Sequence, residues 1–383
     1  MVKITSTRPE RSGPTVRDGV GNIDGDSDIV APQVIKGRGA RRNDSGRFEV
    51  LQRYQIDDGW QDFETPLRPR TEVGIDASRS IITTNKSPDV PFDRSINPYR
   101  GCEHGCVYCF ARPSHAYLGL SPGLDFETRL FAKPDAAQLL QKAFCQKAYK
   151  PQVIALGTNT DCYQPIDRSR QLTRAIVSVF DRFGHPLALI TKSDLVTRDI
   201  DILTRLAARR LVVVNISVTT LDRGLSRRLE PRAPTPAKRL AAIAELAAAG
   251  VPVNVLMAPV IPGLNDHEIE DILAASADAG AISASHVLLR LPHELKDLMV
   301  DWLQTHVPDR ASKVLKLIRD TRGGDLYQNQ WGVRMRGVGP YADILHKRFA
   351  KAQQRYGLAA RSYDLALDQF TIPAEDSAQM RLF

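Results

Sequence analysis

The chain runs to 383 residues, 43% hydrophobic and 25% charged, with 52 Lys/Arg against 44 Asp/Glu. Those proportions are ordinary for a water-soluble globular protein with one sizeable core and extensions, or two modest domains. No run of about 18 apolar residues offers a membrane span, and the opening MVKITSTRPERSG lacks the apolar stretch of a secretion signal, so no membrane contact and a cytoplasmic location are expected.

Residues 1–70 have few apolar positions and no sustained period, which predicts a flexible N-terminal arm with disorder over 1–30. Within it, KGRGARRNDSGRFE (Lys36 to Glu49) is basic and Gly-rich. Arg38, Arg41 and Arg42 could hold phosphates there, or the stretch could simply lie on the body as an extended arm. From Thr71, TEVGIDASRSIITTN carries two short β-rich pieces toward a cysteine-rich loop. After that loop a regular alternation begins. PQVIALGT, HPLALIT, LVVVNISV, VPVNVLMAPV and SHVLLRL read as buried strands, separated by helical patterns near Asp167 to Phe183, Arg198 to Arg209, Pro236 to Ala249 and Asn265 to Ala279. Thr235, Pro236 and Gly250 mark the clearest helix, and Asn265 with Glu268 suggests a capping box.

With a strand near Ser95 to Tyr99 entering the loop, six βα units result. Continuously apolar strands alternating with amphipathic helices predict an α/β fold: a partial (βα)6 TIM-like barrel over 71–300, with the cysteine loop at the C-terminal rim of its first strand. A small helical C-terminal part, 301–383, follows, with helices near Pro308 to Thr321 and Ala342 to Tyr356. It holds 13 Lys/Arg against 9 Asp/Glu, whereas residues 1–70 are nearly balanced at 12 against 11. Its Gly-rich connection, with Arg334 and Arg336, is therefore the candidate polyanion contact.

The loop RGCEHGCVYCF, Arg100 to Phe110, puts Cys102, Cys106 and Cys109 into a C-x3-C-x2-C window. Three soft sulfur ligands on one loop suit iron-sulfur or zinc rather than magnesium or calcium. Gly101 and Gly105 let the backbone bend around a bulky group. Zinc wants a fourth ligand, and the candidate is His104, wedged between the first two cysteines. Of the other two cysteines, Cys145 beside Phe144 reads as core and Cys162 lies at the rim; disulfides are negligible in a cytosolic protein.

This loop, with the aromatic Tyr108 just before its last cysteine, resembles the hallmark of the radical SAM superfamily. The segment from Thr83 to Phe131 is similar to its spore photoproduct lyase-like branch, and within that to a bacterial family without an assigned reaction. The resemblance implies a 4Fe-4S cluster on Cys102, Cys106 and Cys109, with one iron open to S-adenosyl-L-methionine (SAM). It further implies reductive cleavage to a 5′-deoxyadenosyl radical, an electron donor of flavodoxin or ferredoxin type, and an unidentified substrate with nucleic acid among the candidates. The competing reading is a non-catalytic zinc or iron-sulfur protein that binds nucleic acid.

Strand ends of such a barrel face the cofactor, so each polar residue there has a candidate role. Asp161, after the second strand, would take the ammonium, and Asn159 or Thr160 the carboxylate. Lys192, after the third strand, would bind the carboxylate as a point charge. Asn215 and Ser217, an inward polar pair on the fourth, would meet ribose hydroxyls. Val260, in APVIPG after the fifth, would wall the adenine, with Tyr108 adding a contact or packing inward. The photoproduct lyases use a cysteine near the second strand end as hydrogen-atom donor. Cys162 is the catalytic candidate by that analogy, but the register is offset, with Thr158 nearer the position, and Phe110 stands where the lyase pattern has a tyrosine.

Overall fold

In the computed structural model, which describes residues 33–49, 69–360 and 364–374, each apolar run of the middle of the chain becomes a strand. In chain order the strands are β1 (Glu72–Ile75), β2 (Ile82–Thr84), β3 (Arg94–Ile96), β4 (Tyr99–Arg100), β5 (Arg129–Ala132) and β6 (Ile154–Leu156). There follow β7 (Leu187–Thr191), β8 (Val212–Ser217), β9 (Val253–Val260), β10 (Ser283–Leu288) and β11 (Ala359–Ala360). The main sheet has the order β11-β10-β9-β8-β7-β6-β3-β2. From β3 through β6, β7, β8 and β9 to β10 every pairing is parallel, and β2 alone runs antiparallel, against β3. Strands adjacent in the sheet follow one another along the chain, as short crossovers require. The fold is thus mixed α/β with a parallel sheet.

Both faces of these strands are covered, which is why they read as unbroken apolar runs instead of alternating ones. Ile154, Leu189, Val214 and Val255 are fully buried against Ile176, Phe180, Ile202, Leu206, Ile243 and Ile272 from the intervening helices. The helix Pro236–Ala248 begins after Thr235 as expected, but the threonine side chain makes no capping bond. The pattern near Asp167 to Phe183 is two helices, broken at Gln171, whose φ is 51°. The break is held by Asp167, which accepts from Thr173 N–H and the Tyr99 hydroxyl. The capping box does not form. Glu268 instead accepts from the Thr220 hydroxyl and Leu221 N–H, and Asn265 bonds the carbonyls of Thr219 and Pro259, so both stitch strand ends together.

Three features go beyond the sequence reading. A second sheet, β1-β5-β4, stands beside the cysteine loop, and β11 extends the main sheet by pairing with β10. Among its described residues the C-terminal part holds three long helices, not two: Leu295–His306 precedes Pro308–Asp320 and Pro340–Arg355. Its buried residues Leu295, Leu298, Met299, Trp302 and Leu303 show the helical spacing that could have disclosed it. Among the described residues no helix is long and apolar enough to cross a membrane.

The disorder expected for residues 1–30 lies outside the described residues. Residues 33–49 are described, and their arginines are engaged internally. Arg38 donates to the carbonyls of Glu127 and Pro69, Arg41 pairs with Asp301 at 2.5 Å, and Arg42 pairs with Asp44 at 3.1 Å. Arg38 and Arg41 are thus taken up by the body of the protein, whereas Arg42 stays partly exposed beside the exposed Asp44.

Candidate functional site

The cysteine loop leaves β4 and is bent at Gly101 and Gly105, with φ of 75° and 66°. A Cβ at Gly105 would stand 2.6 Å from a Glu127 carboxylate oxygen, so only glycine fits this approach. The backbone of the loop is satisfied from outside. Arg112, fully buried, donates to the carbonyls of Cys106 at 2.8 Å and Gly105 at 3.1 Å, and is charge-paired with the equally buried Glu127. Gln164 accepts from Glu103 N–H and donates to Gly101 O. Val107 N–H donates to Leu229 O, and Arg232 N–H to His104 O. With its polar backbone held this way, the loop turns its thiols toward a shared space.

That space is a cavity of about 260 Å³ lined by Cys102, Cys106 and Cys109 on one side and by strand ends on the other. Asn159 and Asp161 reach it from the turn after β6, Lys192 from that after β7, Ser217 from β8, Ala258 and Pro259 from β9, and Arg290 from beyond β10. Burial, foremost, pushes all three thiols above their ordinary value, and for Cys102 the nearby Asp161 and the other two thiols add to it. Three thiolates here would need a compensating positive charge of the kind iron supplies. Among the described residues no three His, Cys, Asp or Glu side chains converge closely enough to hold a single metal ion. His104 lines the same cavity, its Nδ1 3.3 Å from an Asp161 oxygen without a hydrogen bond to it.

Of the residues singled out in the sequence, Tyr108, Asn159, Asp161, Lys192 and Ser217 come together around the cavity with the three cysteines. Asp161 is more engaged than expected. It accepts from Tyr163 N–H, the Thr191 hydroxyl and Lys192 N–H at 2.7 to 2.9 Å. Burial alone would raise its pKa, but the facing His104 and these donors outweigh it and hold the carboxylate at about 2. It is a strut between the ends of β6 and β7 rather than an open acceptor. The turn it belongs to is fixed by Asn97, which accepts from Asn159 N–H at 2.8 Å and leaves the Asn159 side chain exposed at the cavity. Lys192 Nζ donates to Ser217 Oγ at 2.9 Å and lies 3.8 Å from Glu230.

Three candidates are placed elsewhere. Asn215 is buried within the sheet, donating to Leu189 O and accepting from Asn254, so the partners predicted for it are protein groups. Val260 packs in the main core, and its neighbours Ala258 and Pro259 face the cavity instead. Cys162 is fully buried in that core, its sulfur directed to Ile190 O, whereas Thr158 lines the cavity.

Sequence reasoning missed Glu230. This fully buried carboxylate accepts from the hydroxyls of Tyr108 and Thr219 and is paired with the buried Arg239. Burial would raise its pKa, but Arg239 and Lys192 hold it at about 2. A glutamate and an arginine nine residues apart, each in polar sequence, look like solvated surface. Arg112 and Glu127 were hidden in the same way.

The profile of the Radical SAM superfamily matches residues 96–275. An uncharacterized protein of Mycobacterium tuberculosis (strain ATCC 25618 / H37Rv) is 34% identical over 280 residues, 72% of this chain and 78% of that protein. Another, from Methanocaldococcus jannaschii, is 29% identical over 53% of this chain and 73% of its own. Among solved structures, spore photoproduct lyase shares the fold. A variant of it with bound AdoMet and dinucleoside spore photoproduct has a TM-score of 0.55 at 16% identity, covering 77% of this chain and 82% of that one. Since the profile spans the cysteine loop and the mycobacterial relative matches most of the length, the chain belongs to the radical SAM superfamily, which uses a 4Fe-4S cluster and S-adenosylmethionine.

Proposed function

We propose that the chain is a radical SAM enzyme in which Cys102, Cys106 and Cys109 hold the cluster and the neighbouring strand ends hold SAM. The reading is carried by one juxtaposition: the three thiols and the polar ends of β6, β7 and β8 face a single cavity. Cluster and cofactor, when bound, supply a 5′-deoxyadenosyl radical able to take a hydrogen atom from an unactivated carbon. The protein's own part is to bind, orient and exclude water. Lys192 presents an ammonium to the cofactor carboxylate, Ser217 a hydroxyl to the ribose, and Ala258 with Pro259 an apolar wall to the adenine. Asn159, exposed at the rim, is free to turn its amide toward the methionine end.

The six parallel strands support a partial (βα)6 barrel as the catalytic core over 71–300, with 301–383 as an extension and residues ahead of 71 as an arm. A flavodoxin- or ferredoxin-type donor would supply the electron. A nucleic-acid substrate is supported by the fold shared with spore photoproduct lyase, whose structure holds a dinucleoside photoproduct. Transfer of that enzyme's hydrogen-donor role to Cys162 is not supported, because Cys162 lies in the core.

Anaerobic reconstitution with iron and sulfide, followed by SAM and a low-potential reductant, tests the reading. A cluster and 5′-deoxyadenosine are expected, and neither from the Cys102→Ala, Cys106→Ala, Cys109→Ala triple variant. Stoichiometric zinc without acid-labile sulfide would instead favour the non-catalytic, nucleic-acid-binding alternative.

A further inference from the structure

Arg290 follows β10 at the cavity mouth, and its side chain differs from those of the neighbouring cations. Lys192 has Ser217 and Glu230. Arg334 is bound to Asp89 and Ser87. Arg322 is consumed by the carbonyls of Leu288, Leu289, Val333 and Arg334, and burial first, then the nearby charge of Arg290, lowers its pKa to about 10. Arg290 has no hydrogen bond or ion pair among the described residues, and its Nε is buried without a partner. Its guanidinium carbon stands 5.0 Å from the centroid of the Phe110 ring. Stacking on an aromatic face holds a guanidinium by its plane and leaves its N–H edge free to bind two oxygens at once.

The surroundings say what those oxygens belong to. The cavity that Arg290 lines is walled also by Val90, Phe92, Val287 and Met335, and the one carboxylate lining it among the described residues, Asp161, is engaged elsewhere. A desolvated N–H without a partner is unfavourable until an acceptor meets it, and a charged acceptor gains most. Lys192 and Arg290 follow β7 and β10, with β8 and β9 between them in the sheet. Two cations entering the cavity from separate strand ends can serve two different anionic groups. Lys192, beside Ser217 and the thiols, is the one for the cofactor carboxylate.

We infer that Arg290, stacked on Phe110, is the substrate-anion subsite and grips a phosphodiester oxygen pair while the attached nucleoside packs on the apolar walls. This rests on the radical SAM reading and on its nucleic-acid substrate class, and it gives Phe110 a role as the platform for the arginine.

The test uses reconstituted, SAM-loaded protein and two probes: a thymidine dinucleotide, and the same dinucleoside joined by a neutral methylphosphonate. Wild-type protein is expected to bind the charged probe about tenfold to a hundredfold more tightly, the range of a charge-assisted hydrogen bond. Arg290→Gln should lose that preference, binding both probes at the weaker affinity, and Arg290→Lys should recover part of it. SAM affinity and iron content should stay at wild-type values in both variants. A fall in SAM affinity for Arg290→Gln would reassign the residue to the cofactor carboxylate and overturn the proposal. Equal binding of both probes by wild type overturns it too, as does SAM-loaded protein that binds neither. Protein that takes up no SAM would overturn the underlying reading as well, which separates the two failures.

Discussion

Lys192 is set between two uses. Its ammonium touches Ser217 and lies within charge range of Glu230, 3.8 Å away, yet it also faces the cavity. Removing the charge should cost the cofactor carboxylate one charge-assisted bond, about 1.5–3 kcal/mol. Lys192→Met should therefore lower SAM affinity by about one to two powers of ten while iron content stays unchanged, as read by equilibrium dialysis on reconstituted protein. Glu230 behaves differently because it is buried among cations. Glu230→Gln leaves Arg239 buried without a counter-charge, at a cost of about 3–5 kcal/mol in urea-unfolding stability at neutral pH. Its folded pKa, near 2, lies below its ordinary 4.5, so the ionised form stabilises the fold above the carboxylate range, and that contribution is lost as pH falls from about 4.5 toward 2. The stability gap between wild type and Glu230→Gln, measured on metal-free protein, should accordingly shrink between pH 7 and pH 3. A gap independent of pH would mean the carboxylate is not held charged by its neighbours.

At the scale of elements, the sheet was legible and the cradle of the cysteine loop was not. Five apolar runs bounded by turn residues can hardly be anything but covered parallel strands, and their order followed from short connections. β11 escaped because two alanines carry no pattern. The cradle escaped for a deeper reason: its bonds join backbone N–H groups to carboxylates far away in sequence. Glu127 accepts from Gly39 N–H at 3.0 Å and Ala40 N–H at 2.9 Å, 88 and 87 positions away in sequence. Nothing in KGRGARR announces that its glycine, rather than its arginines, makes the decisive contact. A Cβ at Gly39 would fall 1.8 Å from the carbonyl oxygen of Gly105, so Gly39→Ala has to push the cysteine loop aside. Iron retention after reconstitution is expected to drop severalfold in Gly39→Ala, and in Glu127→Gln, where Arg112 loses its buried partner. Full iron content in both variants would show that the loop holds its shape without the arm.

For the whole molecule, the structure changes where a polyanion would be met. The sequence pointed to Arg334 and Arg336, but Arg334 is a tether: it and Gly332 N–H bind Asp89, joining the 331–336 loop to the 87–92 loop at the cavity mouth. Arg38 and Arg41 are likewise committed internally. Arg336 stays exposed, and the helix Pro308–Asp320 displays four more exposed cations, Arg310, Lys313, Lys316 and Arg319. Exposed lysines bind phosphate by releasing counterions, so affinity for an oligonucleotide should fall with salt at a log–log slope of about −0.9 per phosphate on a duplex and −0.7 on a single strand. Lys313→Glu with Lys316→Glu should weaken binding and flatten that slope by about one to two phosphates' worth, without touching SAM uptake. Arg334→Ala should act otherwise, freeing Asp89 and loosening the mouth while leaving the slope unchanged. Fluorescence anisotropy of labelled single- and double-stranded oligonucleotides across a salt series distinguishes them. If Arg334→Ala flattens the slope and the lysine pair does not, the contact runs through the Gly-rich connection after all, and the helix Pro308–Asp320 is only a solvated face.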